Sequence, residues 1–244
     1  MKLLSRILAK PAPVRDEPLM SEARISKAHA EILEALPLPY SKKLNTMYHS
    51  TKHVGSDGLE HDACIATKIS VPEGIEIFNL CRNATRTLEI GLAYGFSTMY
   101  FLAANENSFH VAIDPFIEEW WQGVGLQNVR ELGMSHRVRF MGDISLIALP
   151  KLIAESAKFD VLFVDGNHRF DDVLTDFALC SMLCEVGGHI ILDDMWMPGI
   201  VKAANFIRVN RKDFEEVKTG VFNMCVFKKI AEDSRPWNHF EDFS

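Results

Sequence analysis

The stretch TRTLEIGLAYGFST, residues 85–98, decides how the chain folds. Its first half is a short apolar run, typical of a strand buried in a parallel sheet, and its second half carries Gly91 and Gly95. Glycine lets a backbone approach a ligand closely, and a following helix presents free N–H groups at its start. The pattern therefore predicts a strand, a ligand-binding turn and a helix.

The acid near the end of this strand narrows the choice of ligand. Glu89 favours a cationic or amino-bearing ligand and would repel a pyrophosphate. The spacing also departs from the dinucleotide pattern G-x-G-x-x-G, because Ala93 and Phe96 occupy two of its glycine positions. Both observations disfavour a nicotinamide-dependent dehydrogenase.

From residue 86 onward, short apolar strands alternate with helical patterns, which is typical of a parallel sheet covered on both faces. The predicted strands are 87–90, 109–113, 138–141, 161–164 and 189–192. The predicted helices start near Ser97, Glu118, Leu146, Asp171 and Gly199. Two last strands, 215–218 and 222–227, are linked too closely for a crossover and must be antiparallel. The expected fold is a doubly wound, mostly parallel α/β sheet finished by an antiparallel hairpin.

Residues 1–60 lack this alternation of strands and helices and are expected to form an N-terminal arm, a helix and a lid. The helix spans 21–36 with Ser21 as its N-cap, and Pro37 and Pro39 end it. The polar stretch 40–60 is interpreted as a loop or lid. Residues 61–244 would then be the ligand-binding domain, and the N-terminal helix is a candidate homodimer interface.

Composition excludes several classes of partner. The formal net charge is −7, so the sequence lacks the excess of basic residues that is typical of nucleic-acid-binding proteins. No run approaches the roughly 18 apolar residues that cross a membrane. The five cysteines include no CxxC pair, which favours reduced, packed thiols in a cytoplasmic protein. The expected partner is a small molecule.

Two further acids follow strands and are candidate cofactor ligands. Asp114 ends the second strand at the distance where a ribose-binding acid belongs, although an Asp before Pro115 also initiates turns. Asp143 follows the third strand and could meet an adenine amino group. Its alternative role is the N-cap of the next helix.

Three more carboxylates meet at the carboxyl ends of the fourth and fifth strands. Asp165 follows one strand, and Asp193 and Asp194 follow the other. Such acids repel one another unless a cation is present, and hard oxygen ligands suit Mg²⁺, with Ca²⁺ or Mn²⁺ as alternatives. The structural alternative is that the adjacent pair caps the next helix.

His168 is the candidate general base beside this acidic site. An imidazole with an ordinary pKa of about 6.5 takes a hydroxyl proton at neutral pH. The competing assignments are a histidine that caps the next helix, and Asp171 as the base.

The segments TRTLEIGLAYGFST, AIDPF, MGDISLIALP and FDVLFVDGNHRF resemble successive motifs of class I S-adenosylmethionine-dependent methyltransferases. The resemblance covers about residues 69–228 and is greatest to the catechol-type and the macrocin- and cephalosporin-type O-methyltransferases. It implies a seven-stranded Rossmann-like sheet. It also implies cofactor contacts by Glu89, Gly91, Gly95, Ser97, Asp114 and Asp143, and metal ligands at Asp165, Asp193 and Asp194. Three positions differ from the family pattern. Ala93 stands where the common motif has its middle glycine. In catechol-type members, Asn is usual at the position of Asp194, and the catalytic lysine is at the position of His168.

The function expected from these residues is Mg²⁺-assisted methylation of a hydroxyl on a small molecule. The metal at Asp165 would lower the pKa of the hydroxyl and orient its oxygen. One rival is a metal-independent transferase acting on nitrogen or another atom. The other is a non-catalytic protein that keeps the fold and binds S-adenosylmethionine.

Overall fold

The computed structural model describes residues 21–62 and 67–243. The predicted arm before residue 21 lies outside them. The helices are α1 Glu22–Ala35, α2 Leu38–His49, α3 Val71–Cys81, α4 Phe96–Ala104, α5 Val124–Glu131, α6 Ser145–Ala154, α7 Phe170–Leu183 and α8 Pro198–Asn210. The strands are β1 Lys52–Val54, β2 Glu60–Asp62, β3 Arg86–Ile90, β4 Phe109–Ile113, β5 Val138–Met141, β6 Phe159–Val164, β7 Cys184–Leu192, β8 Phe214–Val217 and β9 Cys225–Lys229. Within the described part of the chain, every helix is too short or too polar to cross a bilayer.

Seven strands form the main sheet, in the order β5-β4-β3-β6-β7-β9-β8. The first five are parallel, and β9 and β8 run antiparallel at one side. Ile90 pairs with both Ile113 and Val164, and Val164 pairs with Leu192, so the carboxyl ends of these strands meet at one edge. The predicted fold class is confirmed.

Alternate residues of the central strands bury themselves in two different cores. On β6, Leu162 and Val164 pack with α6, α7 and α8, whereas Val161 and Phe163 pack with α1 to α4. This is the period-2 pattern of a sheet covered on both faces, and each fully buried side chain of this size contributes about 1.5–3 kcal/mol. The sheet is therefore held firmly, and its carboxyl edge is a rigid platform.

The predicted loop over 40–60 is wrong in its first ten residues. Helix α2 buries Tyr40, Leu44 and Met47 at helical spacing against the core that α3 and α4 share. Pro39 lies in the first turn of this helix, where a missing N–H costs nothing. The rest of the stretch forms the β1–β2 hairpin. Helix α1 begins after its N-cap Ser21, as predicted, and the domain boundary at residue 60 stays a prediction.

The helix predicted near Glu118 begins only at Val124, while the other four start one residue earlier than expected. The Asp114 carboxylate accepts a hydrogen bond from the backbone N–H of Phe116 at 2.8 Å and forms a turn there. Gln122 and Gly123 then have left-handed φ values of 49° and 68°, which an α-helix cannot accommodate. The segment after β4 is therefore a structured loop.

The final antiparallel pair is confirmed, but its link is longer than predicted. Strands β8 and β9 are joined by residues 218–224, with Val217 paired to Val226. Within this link, the carbonyl of Asn223 accepts the N–H of Met195 at 2.9 Å. The link is tied to the end of β7 and cannot pair as a tight hairpin.

Candidate active site

The turn between β3 and α4 contains three left-handed residues. Gly91 has φ 98°, and a Cβ atom there would overlap the carbonyl oxygen of Asp165. Gly95 has φ 80° and directly precedes α4, and Ala93 has φ 44° where the common motif has its middle glycine. The two glycines are required by backbone conformation and close approach, whereas Ala93 accepts a conformation that costs about 1 kcal/mol or more.

A cavity opens beside this turn at the carboxyl edge of the sheet. Its lining brings together the predicted Gly91, Ser97 and Asp165. The complete lining is Thr67, Ile69, Gly91, Leu92, Ala93, Tyr94, Phe96, Ser97 and Asp165. Thr67 and Ile69 were not predicted, because they precede α3 in a stretch without a motif.

Glu89 lies fully buried beneath the turn and is engaged by protein groups. The hydroxyl of Ser97 donates to Glu89 Oε2 at 2.6 Å, and the hydroxyl of Thr98 donates to Oε1. The Nε2 atom of His110 lies 3.0 Å from Oε1. Glu89 thus anchors the first turn of α4 under the cavity, and direct contact of Glu89 or Ser97 with a cofactor stays a prediction.

Asp114 holds the glycine turn by its carboxylate. Oδ2 accepts the backbone N–H groups of Leu92 at 3.2 Å and Ala93 at 2.9 Å, while Oδ1 accepts that of Phe116. Burial raises the pKa of Asp114, and these three N–H groups partly offset the rise. The acid both forms the turn and stands at the strand end predicted for ribose binding.

Asp143 is partly exposed, with 37% of its side-chain surface accessible. Its carboxylate pairs with Lys151 Nζ at 2.8 Å. The N-cap of α6 is Ile144, which has no side-chain cap, so the alternative role of Asp143 as N-cap is wrong. Its predicted place near the adenine stays a prediction.

Asp165, His168 and Asp194 form one cluster at the ends of β6 and β7. Each offers a ligand atom, and these atoms all lie within 4.8 Å of one another. His168 Nε2 lies 3.0 Å from Asp194 Oδ2 and 3.6 Å from Asp165 Oδ1. Asp194 has a left-handed φ of 54°, a strained conformation that turns this residue at the end of β7.

The charged groups of this cluster strongly shift one another's pKa values. Burial lowers the pKa of His168, but the hydrogen bonds and charges of Asp165 and Asp194 outweigh burial and raise it to about 10. Burial and the charge of Asp194 raise the pKa of Asp165 to about 7. His168 is therefore protonated at neutral pH and cannot act as a base until these negative charges are neutralised.

Two further hydrogen-bond donors keep the carboxylate of Asp194 in its ionised form. Trp196 Nε1 donates to Asp194 Oδ1 at 2.7 Å, and Asn223 Nδ2 donates to the same oxygen at 3.2 Å. Burial alone would raise the pKa of Asp194, but these bonds and His168 lower it. Asn223 lies in the β8–β9 link, and no sequence motif pointed to it.

Asp193 stands apart from the cluster that its neighbour joins. It is buried, and burial together with the charges of Glu73 and Asp165 raises its pKa well above its usual value. Among the described residues, the ligand atoms close enough to share one ion are those of Asp165, His168 and Asp194. Asp193 as a metal ligand stays a prediction.

The helix-capping alternatives for these residues are wrong. Helix α8 has Met197 as its N-cap and α7 has Arg169, and neither makes a side-chain cap. Asp171 lies in the first turn of α7, where a negative charge is favourable. Asp193, Asp194 and His168 therefore do not cap the helices that follow them.

Three rings, His53, Tyr94 and Trp121, form an aromatic wall beside the cavity. The centroid of Tyr94 lies 4.8 Å from that of His53 and 5.4 Å from that of Trp121. His53 belongs to the β1–β2 hairpin and Trp121 to the loop after β4. The two segments are tied together where the N–H of Ser56 donates to the carbonyl of Gln122 at 2.7 Å.

Comparison with known proteins agrees with this geometry. A family model described as a methyltransferase domain matches residues 88–195, which include every predicted cofactor and metal residue from Glu89 to Asp194. The chain is a class I S-adenosylmethionine-dependent methyltransferase. The methyltransferase is 27% identical over 223 residues to a flavonoid 3′,5′-methyltransferase of Vitis vinifera, covering 86% of this chain and 91% of that protein.

Solved structures share the fold of this methyltransferase. The O-methyltransferase TomG of Streptomyces achromogenes, in complex with SAM, superposes with a TM-score of 0.61 at 20% identity, over 87% of this chain and all of that chain. A methyltransferase of Podospora anserina bound to SAH gives 0.63 at 14% identity, over 88% and 99%. At such identities the likeness concerns the fold.

Proposed function

We propose that this methyltransferase acts on a hydroxyl group of a small molecule with the help of a divalent cation, most favourably Mg²⁺. The observation that carries the proposal is the cluster of Asp165, His168 and Asp194 at the sheet edge, beside the cavity of the glycine turn. Asp165 belongs to both the cluster and the cavity lining, so a cation held there would neighbour the cofactor.

The residues of the cluster fit a cation by their chemistry. His168 Nε2 is buried and faces two carboxylates, at 3.0 Å from Asp194 Oδ2 and 3.6 Å from Asp165 Oδ1. Carboxylate oxygens suit Mg²⁺ or Mn²⁺. Asp165 and Asp194, with the predicted Asp193, would hold the ion. When bound, a divalent cation lowers the pKa of a hydroxyl that it contacts.

The chain itself supplies the proton acceptor in this proposal. His168 is charged because of Asp165 and Asp194, so neutralising those carboxylates lowers its pKa towards the usual value of about 6.5. The neutral imidazole then takes the hydroxyl proton. Charge neutralisation and base activation are thereby coupled in one cluster.

The acceptor class rests on the aromatic wall and on the relatives. Trp121 is the partly exposed ring of this wall, backed by the buried rings of Tyr94 and His53, and a planar molecule packs well against such an aromatic surface. The Vitis vinifera relative is a flavonoid methyltransferase. A small hydroxylated aromatic acceptor therefore fits best, and the net charge of −7 disfavours nucleic acid. A homodimer through α1 and a cytoplasmic location stay predictions.

The test is transfer of labelled methyl groups to a panel of catechols and flavonols, with and without EDTA. We expect turnover that EDTA abolishes and Mg²⁺ restores, and an Asp194→Ala variant that binds S-adenosylhomocysteine but has lost at least a hundredfold in turnover. The matched control is Glu155→Gln, a surface acid paired with Arg139, which should behave as the wild type. Full activity in EDTA would contradict the role of the metal.

The same assay separates the rival functions. Transfer to amines that survives both EDTA and Asp194→Ala would favour the metal-independent transferase. Tight binding of the cofactor without turnover across the whole panel would favour a non-catalytic binding protein.

A further inference from the structure

One buried carboxylate beside the active site has no role in the arrangement described so far. Glu73 lies in the first turn of α3 and is 2% exposed. Its Oε2 atom accepts the backbone N–H of Ser70 in a capping box. Its Oε1 atom is buried and accepts no hydrogen bond from the residues that the structure describes. A buried acceptor without a donor is costly, which indicates a partner that binds there.

The position of Glu73 is fixed by close packing. A Cβ atom on the next residue, Gly74, would overlap the ring of Tyr100, so α3 presses directly on α4 at this point. The capping box holds the side chain from the other side. Glu73 therefore cannot swing into solvent to recover hydration.

The free oxygen belongs to the acidic end of the active site. Of the charges that raise the pKa of Asp193, that of Glu73 is the largest, and it also acts on Asp165. Glu73 nevertheless lies outside the cluster whose atoms can share one metal ion. A second cationic group, separate from the metal, would supply the hydrogen-bond donor that Glu73 Oε1 needs.

The cavity indicates which cation this is. Ile69 lines the cavity and directly precedes Ser70, the capping partner of Glu73, and Asp165 lines it from the sheet. Glu73 lies behind this lining rather than in it, in the first turn of the helix that follows Ile69, and close enough to Asp165 for its charge to raise the pKa of that carboxyl. The methionine part of S-adenosylmethionine ends in an ammonium group, which has three donors and no acceptor. Such a group matches an unpartnered carboxylate oxygen.

We propose that Glu73 Oε1 binds the α-ammonium group of the methionine part of the cofactor. This assigns a binding residue outside the glycine turn, in a helix that no motif identified. The inference rests on S-adenosylmethionine binding, and it holds whether or not the acceptor atom is a hydroxyl oxygen or a metal takes part.

The test compares two ligands by calorimetry on the whole protein, without metal or acceptor. S-adenosylhomocysteine carries the ammonium group, whereas 5′-methylthioadenosine lacks the amino-acid end altogether. The variant Glu73→Gln keeps an oxygen for the capping box, because Gln is accepted at that position, and replaces the free acceptor by a donor. We expect it to bind S-adenosylhomocysteine roughly 10- to 100-fold more weakly and 5′-methylthioadenosine as the wild type does.

The matched control is Glu76→Gln, the same change one turn further along α3, which should leave both affinities unaltered. An equal loss for both ligands in Glu73→Gln would mean a structural role and would overturn the proposal. So would unchanged affinity for both. A titration with Mn²⁺ in the absence of cofactor distinguishes the remaining source of positive charge. If Glu73→Gln weakens Mn²⁺ binding and spares S-adenosylhomocysteine, the partner is the metal and the ammonium assignment is wrong.

Discussion

The carbonyl oxygen of Asp165 occupies the space that a Cβ atom on residue 91 would need, so Gly91 and Asp165 are in direct backbone contact across two strands. The N–H of Asp165 also donates to the carbonyl of Ile90 at 3.0 Å. The turn that forms the cofactor cavity and the strand end that carries the acidic cluster are therefore one rigid unit.

Replacing Gly91 by Ala should break this unit. The new methyl group meets backbone, which cannot yield cheaply, and a φ of 98° is unfavourable for alanine. We expect a loss of at least about 2 kcal/mol in the free energy of unfolding, measured by urea denaturation. Gly133→Ala is the control: its φ is 70° but nothing lies within 4 Å, so backbone strain of about 1 kcal/mol acts alone. Equal losses in the two variants would contradict the steric explanation.

Asp114→Asn should loosen the glycine turn without unfolding the sheet. An amide offers one acceptor atom where the carboxylate serves the N–H groups of Leu92, Ala93 and Phe116 with two. We expect S-adenosylhomocysteine affinity to fall roughly tenfold by calorimetry. Asp57→Asn, at the exposed Asx turn that accepts the N–H of Leu59, is the matched control and should bind normally. Unchanged affinity in Asp114→Asn would refute the role assigned to this acid.

Metal binding should release a proton. His168, whose pKa is raised to about 10 by Asp165 and Asp194, is protonated before the ion arrives, and the ion removes the cause of that rise. Mg²⁺ affinity should therefore increase with pH from about 7 towards 10, by up to about tenfold per pH unit for one proton. Calorimetry in two buffers of different ionisation enthalpy counts the proton. His168→Asn should abolish its release; binding that is independent of buffer and pH in the wild type would count against the coupled cluster.

The aromatic wall should make stability sensitive to mild acid. Burial, followed by the charges of Lys68 and Lys43, lowers the pKa of His53 to about 4, whereas in the unfolded chain it is about 6.5. The unfolded state thus binds more protons between these values, and stability is lost as the pH falls from about 6.5 to about 4, by roughly 2–3 kcal/mol.

The measurement is the difference in unfolding free energy between wild type and His53→Phe at pH 7 and pH 4.5. This difference should shift by about 2 kcal/mol in favour of the variant at the lower pH. The same substitution at the exposed His136 is the control. A pH-independent difference for His53→Phe would contradict the lowered pKa of His53 in the folded protein.

Features with local signals were predicted well. The strand, the glycines and the helix start around Gly91 are contiguous, and β4 and β5 agree to the residue with the predicted 109–113 and 138–141. The acids Asp165 and Asp194 were expected together because parallel strands bring their carboxyl ends to one edge. Each of these conclusions needed only the residues beside it and a general rule of sheet geometry.

Features that depend on distant packing were missed. Tyr40, Leu44 and Met47 have helical spacing, but Pro39 and the polar residues among them concealed the helix. Glu73 reads as an ordinary helix-start acid, and its free oxygen is evident only once α3 lies against the sheet edge. A side chain whose partner is supplied by tertiary structure leaves no pattern in its own neighbourhood.

The tie between Ser56 and Gln122 has a consequence for how this enzyme can change over evolution or by engineering. It joins segments that lie 66 positions apart in the chain and together carry the aromatic wall. Swapping one segment for that of a relative leaves the other without its hydrogen-bonded neighbour. Under the proposed function, the β1–β2 hairpin and the loop after β4 should therefore determine acceptor preference together. Libraries that exchange both segments at once should yield more folded enzymes with altered preference than libraries that vary either segment alone.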